Sequence, residues 1–275
     1  MESPEPHSED ENSSGQHHPP CPRGPFFQEY PWLAMLGPMF VYLAVPMFFS
    51  AAEPGDHLTP DDYERVRSAY AANYLWKYTA MASLAVPLAF FMPRSLQLPR
   101  FRVSLLAVVV GVVGVVLWVG IDWIGLNDAL RKLFGEDSLV ITVLGLTPRD
   151  AFDPNVQFDG QPASYWWFLA VRFTGLVLLV PLCEELMLRG WLVRMVDNPA
   201  FWQVPFGEVT LKAAAIGVGF AMLYHPEKLP ALAYFSLTMW LMLKTKNYWD
   251  CVASHAVTNL LLGVWVLWQG AWHLW

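Results

Sequence analysis

The chain has 275 residues, 55% of them hydrophobic and only 15% charged, with a mean hydropathy of +0.33, whereas a soluble domain carries about 25% charge. A formal net charge of -7 leaves no basic stripe to neutralise phosphates, so nucleic acid is excluded as an expected partner. Three widely spaced cysteines, Cys21, Cys183 and Cys251, make neither a disulfide framework nor a zinc knuckle, while 14 tryptophans suit a protein with two headgroup belts to populate.

Residues 1–25 are rich in Pro, Ser, His and acidic residues and lack an apolar h-region, so they are not a signal peptide. Such a composition cannot bury enough surface to offset its ordering entropy, and a disordered acidic tail is expected. His17-His18 within it reads as a solvated pair rather than a metal site. Residues 26–275 are expected to form a single transmembrane helical domain.

Apolar blocks then recur at roughly 15 to 22 residues, the length that carries a helix across about 30 Å of hydrocarbon. The fold class that follows is all-α, a polytopic membrane helix bundle with about seven (six to eight) transmembrane helices. The first span covers about 31–52, with Pro38 and Pro46 tolerated because neighbouring helices satisfy the freed carbonyls. The second covers about 71–92. The third, about 103–124, contains LLAVVVGVVGVVLWVGI and no charge in that run. A long connection follows over 126–163, with turn signals at Thr147-Pro148 and Asp153-Pro154-Asn155. Its apolar run LVITVLGL is too short to cross. Four further spans are expected over about 164–196, 208–225, 229–243 and 250–270.

Loop charges set an orientation. Arg94, Arg100 and Arg102 stand in the 93–102 loop with no acid. The 53–69 loop carries Glu53, Asp56, Asp61, Asp62 and Glu64 against Arg65 and Arg67, and the 126–163 loop is also acid-rich. Arg189 and Arg194 follow span four, and Lys244 and Lys246 follow span six. Alternation then puts the N-terminus in the cytoplasm and the C-terminus outside, in what is expected to be a bacterial inner membrane. No internal repeat is evident, so an inverted-repeat transporter lacks its usual trace.

Ionisable side chains within a span are expensive and point to function. In Cys183-Glu184-Glu185-Leu-Met-Leu-Arg189-Gly190, adjacent helical residues point about 100° apart, so the two glutamates cannot share one site equally. Glu185 and Arg189 stand at i, i+4 in the favoured acid-first order and can pair. Glu184 is left facing elsewhere without a local cation. His225 closes GVGFAMLYH before Pro226, and by itself a histidine at a helix end is an ordinary interfacial residue. His255 and Asn259 lie one turn apart on span seven, a spacing that also suits a polar pair joining two helices. Arg172 and Asp122 lie near enough to helix ends to snorkel.

Depth relates these places to one another. Glu184 lies 13 residues before Asp197, roughly 20 Å, and His225 lies 17 residues after Glu208, roughly 25 Å. Two antiparallel helices joined by a short turn thus reach similar depths. Ala213, Ala214, Ala215, Gly217 and Gly219 would let span five approach span four closely. His255, five residues past Asp250, needs helix tilt or a recessed loop to join them. A carboxylate, two imidazoles and a carboxamide suit water-mediated peptide hydrolysis. The set Glu184, His225 and His255 also matches a His₂Glu zinc site, although no HExxH is present. No G-x-S-x-G supports serine chemistry, and Asp122 is poorly placed for an aspartyl pair. A non-catalytic membrane scaffold or immunity-type binding protein, or a transporter, remains as the alternative to an enzyme.

Glu184-Glu185-x-x-x-Arg189 and His255-x-x-x-Asn259 resemble the motifs of the CAAX protease and bacteriocin-processing family of intramembrane glutamic endopeptidases, the type II CAAX endopeptidases. The family's middle motif, Phe-x-x-x-His, is met imperfectly: Phe220 stands five residues before His225, and Ala221 takes the aromatic position. The resemblance covers about 164–270. It implies a glutamate-dependent endopeptidase needing no cofactor, with Glu184 as base and His225 sharing the water. His255 and Asn259 would be oxyanion donors, supported by Glu185 and Arg189. The substrate it implies is a membrane protein or lipidated peptide in the bilayer. The short N-terminal extension and Trp-rich spans are similar to the CAAX protease-related branch, which implies processing of proteins with C-terminal membrane sorting segments.

Overall fold

The computed structural model describes residues 29–49, 59–95, 101–135, 138–144, 146 and 152–274. The expected tail with His17-His18 and Cys21, the loop residues Glu53, Asp56 and Arg100, and the Thr147-Pro148 turn lie outside them. Among the described residues every regular element is helical. In order they are α1 (Pro31–Ala44), α2 (Pro60–Ser95), α3 (Leu105–Trp123), α4 (Leu126–Phe134), α5 (Leu139–Leu144), α6 (Pro154–Gln157), α7 (Pro162–Asp197), α8 (Leu211–Tyr224), α9 (Lys228–Thr245) and α10 (Tyr248–Gln269).

The chain is an all-α polytopic membrane bundle. Helices Pro31–Phe48, Leu105–Phe134, Pro162–Asp197 and Tyr248–Gln269 are long and apolar enough to cross a bilayer, and Leu211–Tyr224 is a shorter apolar helix. Each of the seven expected spans coincides with a helix, and four of them meet that requirement of length and apolarity in full.

One boundary and the long connection differ from expectation. Helix α2 starts at Pro60 rather than near Ala71, so the polar stretch 60–70 is helix, not loop. The cause is local: Thr59 Oγ1 accepts the Asp62 amide at 3.3 Å. Asp61 and Asp62 fill the first turn, where acids suit the helix dipole. Arg65–Asp62 and Arg67–Glu64 add i, i+3 pairs at 2.8 Å. The long connection also holds three short helices. Of these α4 buries no residue, and α5, which takes the first six residues of the apolar run LVITVLGL, buries only Ile141.

Helix α3 packs against α9 and α10 and sets the spacing of the bundle's centre. A Cβ on Gly111 would lie 2.7 Å from the Ser254 carbonyl oxygen, and one on Gly114 would lie 2.6 Å from Thr258 Oγ1 and 2.8 Å from Tyr234. Hydrogen at these two positions lets the helices close to the point where Thr258 Oγ1 donates to the Gly111 carbonyl at 2.8 Å. The start of the same contact is latched by Asp250, 1% exposed, which accepts from Ser104 N at 2.7 Å and Ser104 Oγ at 3.0 Å. Of the small residues expected to bring span five onto span four, Ala213, Ala214 and Gly217 are buried, with Gly217 against Val193. Ala215 is exposed, and a Cβ on Gly219 would meet no atom within 4 Å, so these two lie off the contact.

Gly114→Leu should overpack the α3–α10 seam at a cost of about 1–3 kcal/mol. In a thermal melt of purified protein the midpoint should fall by about 2–10 °C. Gly219→Ala, at a position with space, should melt at the wild-type temperature or above it.

Candidate active site

Helix α7 carries the glutamate pair between two departures from α geometry. Gly175–Leu179 and Leu186–Leu192 are π-helical, on either side of the α-helical Val180–Glu185. Wide turns of this kind recur at functional sites because each re-aims the side chains that follow. In the first, the Val180 N–H reaches back five residues to the Gly175 carbonyl. The next donor in that register would be Pro181, which has no N–H. The Leu176 carbonyl is therefore left without its helical donor, and Asn259 Nδ2 supplies one at 2.8 Å.

Glu184 and Glu185 diverge as adjacent helical residues must. Glu185 is fully buried and accepts from Arg189 Nη1 at 2.8 Å. Arg189, also buried, sends Nη2 to Thr238 Oγ1 on α9 at 2.5 Å. It also stands over the Phe235 ring with Cζ 5.2 Å from the centroid. The same Glu185 Oε1 lies 3.0 Å from His255 Nδ1 on α10. A carboxylate held by a guanidinium only accepts, so Nδ1 carries a proton and Nε2 is the end of the ring turned away from Glu185.

Glu184 takes the other direction. It is 3% exposed, with Oε2 3.6 Å from His255 Nε2 and Oε1 3.8 Å from His225 Nε2. His225 lies just past the end of α8, where its Nδ1 is 2.8 Å from the Ala221 carbonyl. A carbonyl accepts only, so His225 likewise carries its proton on Nδ1 and turns Nε2 towards Glu184. The structure thus gathers Glu184, His225 and His255 from three helices into one buried cluster. Behind His255, α10 is packed closely on α3 at Gly111 and Gly114. Asn259 lies one turn from His255, but one of its N–H groups is spent on Leu176.

Four neighbours carry no signal in the sequence motifs. Phe235 on α9 neighbours both imidazoles, with centroids 4.8 Å from His225 and 6.0 Å from His255. Thr238 anchors the guanidinium. Trp118 on α3 meets the His225 ring edge-on at 6.1 Å. Tyr224, whose ring is 4.7 Å from that of His225, brings its hydroxyl beside the Glu184 carboxylate. That hydroxyl is buried and makes no hydrogen bond of good geometry. Among the described residues no three His, Cys, Asp or Glu side chains are arranged to hold a metal ion. The zinc alternative would have to use Glu184, His225 and His255 as they stand.

Residues 165–261 match the family model for the type II CAAX prenyl endopeptidase Rce1-like proteins. All of the clustered residues except Trp118 fall within that stretch. Neither a curated protein nor a solved structure matches the chain.

Removing Arg189 should strand the Glu185 carboxylate in the core, a loss of about 3–5 kcal/mol for a broken buried pair. Arg189→Met should therefore give little folded protein by size-exclusion of the solubilised membrane. Arg189→Met with Glu185→Gln should recover part of it, and a double variant no better than the single would show that the pair is not coupled.

Proposed function

With residues 165–261 belonging to the CAAX protease and bacteriocin-processing family of intramembrane endopeptidases, we propose that this integral membrane protein hydrolyses a peptide bond in a membrane-associated protein by glutamate-activated water. The observation that carries the reading is the convergence of Glu184 with the Nε2 atoms of His225 and His255 at 3.8 and 3.6 Å in a buried place. These separations are too long for direct hydrogen bonds and suit a water between the groups. With its proton on Nδ1, His225 offers a lone pair at Nε2, and Glu184 offers another. One water can donate to both, which turns its own lone pair towards a scissile carbonyl.

In this mechanism Glu184 takes the water's proton as the oxygen attacks the carbonyl carbon. Donors to the developing oxyanion would be His255, once its ring is doubly protonated, and the second N–H of Asn259. Glu185 and Arg189 position His255 and hold its tautomer. The substrate class that the family resemblance supports is a membrane protein or lipidated peptide. The loop charges support a cytoplasmic N-terminus; a bacterial inner membrane and C-terminal processing of sorted or lipid-anchored proteins go with the proposed resemblance to the CAAX protease-related branch.

Glu184→Gln keeps size and removes the base. Membranes from cells making this variant should accumulate a longer precursor that wild-type membranes convert, as read by quantitative proteomics of membrane fractions. The variant itself should reach the wild-type level. Conversion that persists in Glu184→Gln would end the glutamate mechanism. Purified wild-type enzyme should keep its activity after exhaustive chelation, and loss restored by zinc would favour the metal alternative.

A further inference from the structure

Hydrolysis of an amide places a full charge on the former carbonyl oxygen, and uncommitted donors around Glu184 are few. The Nε2 of His255 can donate only when the ring is doubly protonated, because Nδ1 already holds its proton against Glu185 at 3.0 Å. His225 is in the same position through the Ala221 carbonyl. Asn259 has one N–H engaged on Leu176 at 2.8 Å. The Tyr224 hydroxyl differs from all of these. It is neutral and buried beside the Glu184 carboxylate, to which it makes no hydrogen bond of good geometry. Its ring is fixed between His225 at 4.7 Å and Phe220 at 5.6 Å, so the hydroxyl is held in place although its contact with Glu184 satisfies it poorly. A poorly satisfied buried hydroxyl opposes folding, and its retention next to the base is accounted for if a better-placed acceptor appears there during the reaction.

We propose that Tyr224 is a further catalytic residue, whose hydroxyl donates a hydrogen bond to the oxyanion of the tetrahedral intermediate. This rests on the hydrolytic reading of Glu184. As water adds, its proton passes to Glu184, the new C–O bond forms, and the carbonyl π pair moves onto oxygen, where Tyr224 binds it without giving up its own proton. On collapse the pair re-forms the C=O bond, the C–N bond breaks, and the departing amine takes the proton that Glu184 holds. A neutral phenol does this without the second protonation that either imidazole would need.

The test compares wild type, Tyr224→Phe and Glu184→Gln, purified and reconstituted, on the precursor that accumulates with Glu184→Gln. Tyr224→Phe keeps the ring and removes only the hydroxyl. Its kcat should fall about 10²–10³-fold, the usual effect of deleting one oxyanion donor, with KM essentially unchanged. Its melting temperature should equal or slightly exceed that of wild type, because the lost hydroxyl had no hydrogen bond of good geometry to forfeit. Wild-type kcat in Tyr224→Phe, a raised KM at constant kcat, or a melt well below wild type would each overturn the proposal. If Glu184→Gln is inactive and Tyr224→Phe is fully active, only the role of Tyr224 fails. If no precursor accumulates with Glu184→Gln, the hydrolytic reading fails and this inference with it.

Discussion

The buried charge on Arg189 has to be neutralised, and the way this is done organises the centre of the molecule. Arg189 and Glu185 are 1% and 0% exposed, a state that desolvation makes unfavourable unless further hydrogen bonds are added to the pair. Those bonds come from Thr238 on α9 and His255 on α10. Three helices are thereby locked in register by one guanidinium and one carboxylate. A shift of α10 by a single residue would swing His255 by about 100°, unpairing Glu185 and withdrawing Nε2 from Glu184 together. Site geometry and fold stability are here consequences of the same charge compensation.

The π turns around this pair have a related role. A uniform α-helix over 36 residues would present one repeating face. The wide turns at Gly175–Leu179 and Leu186–Leu192 interrupt that repeat on either side of Glu184 and Glu185, and Arg189 lies within the second of them. Broken backbone registry leaves carbonyls to satisfy, a severe demand where water is scarce. Pro181 makes that demand at Leu176, and Asn259 meets it. Asn259 therefore joins α10 to α7 one turn below His255. Its carboxamide is held with one N–H fixed, which restricts where the second can point.

Much of this was legible as spacing. Glu185 and Arg189 at i, i+4 and His255 and Asn259 at i, i+4 are local helical relations, and apolar block length located the helices. Adjacency in a helix was also enough to show that Glu184 and Glu185 must part. What spacing could not show was contact across helices that are distant in the chain. Phe235, Thr238, Tyr224 and Trp118 enter the site only because of how α3, α8 and α9 are rotated, and no periodicity in their own segments marks them. The π turns are equally invisible in composition, although Pro181 in mid-helix was a sign that one carbonyl would need an outside donor. The polar start of α2 was missed for the opposite reason: its charges looked like loop, whereas first-turn acids and i, i+3 pairs sustain a helix.

Helix α3 lies outside the stretch that matches the family, yet the site leans on it at three levels. Gly111 and Gly114 admit α10 so closely that Thr258, one turn from Ser254 and three residues beyond His255, bonds to the α3 backbone. Tyr234, packed on Gly114, lies 5.5 Å from the His255 ring. Trp118, four residues further along α3, closes on His225. One face of α3 thus backs both imidazoles, from α10 at one level and from the end of α8 at the next. Because helix packing in lipid gains little from hydrophobicity and much from close fit, the two glycines are what make that support possible. The family-like segment supplies Glu184 and both imidazoles, and α3 packs behind them.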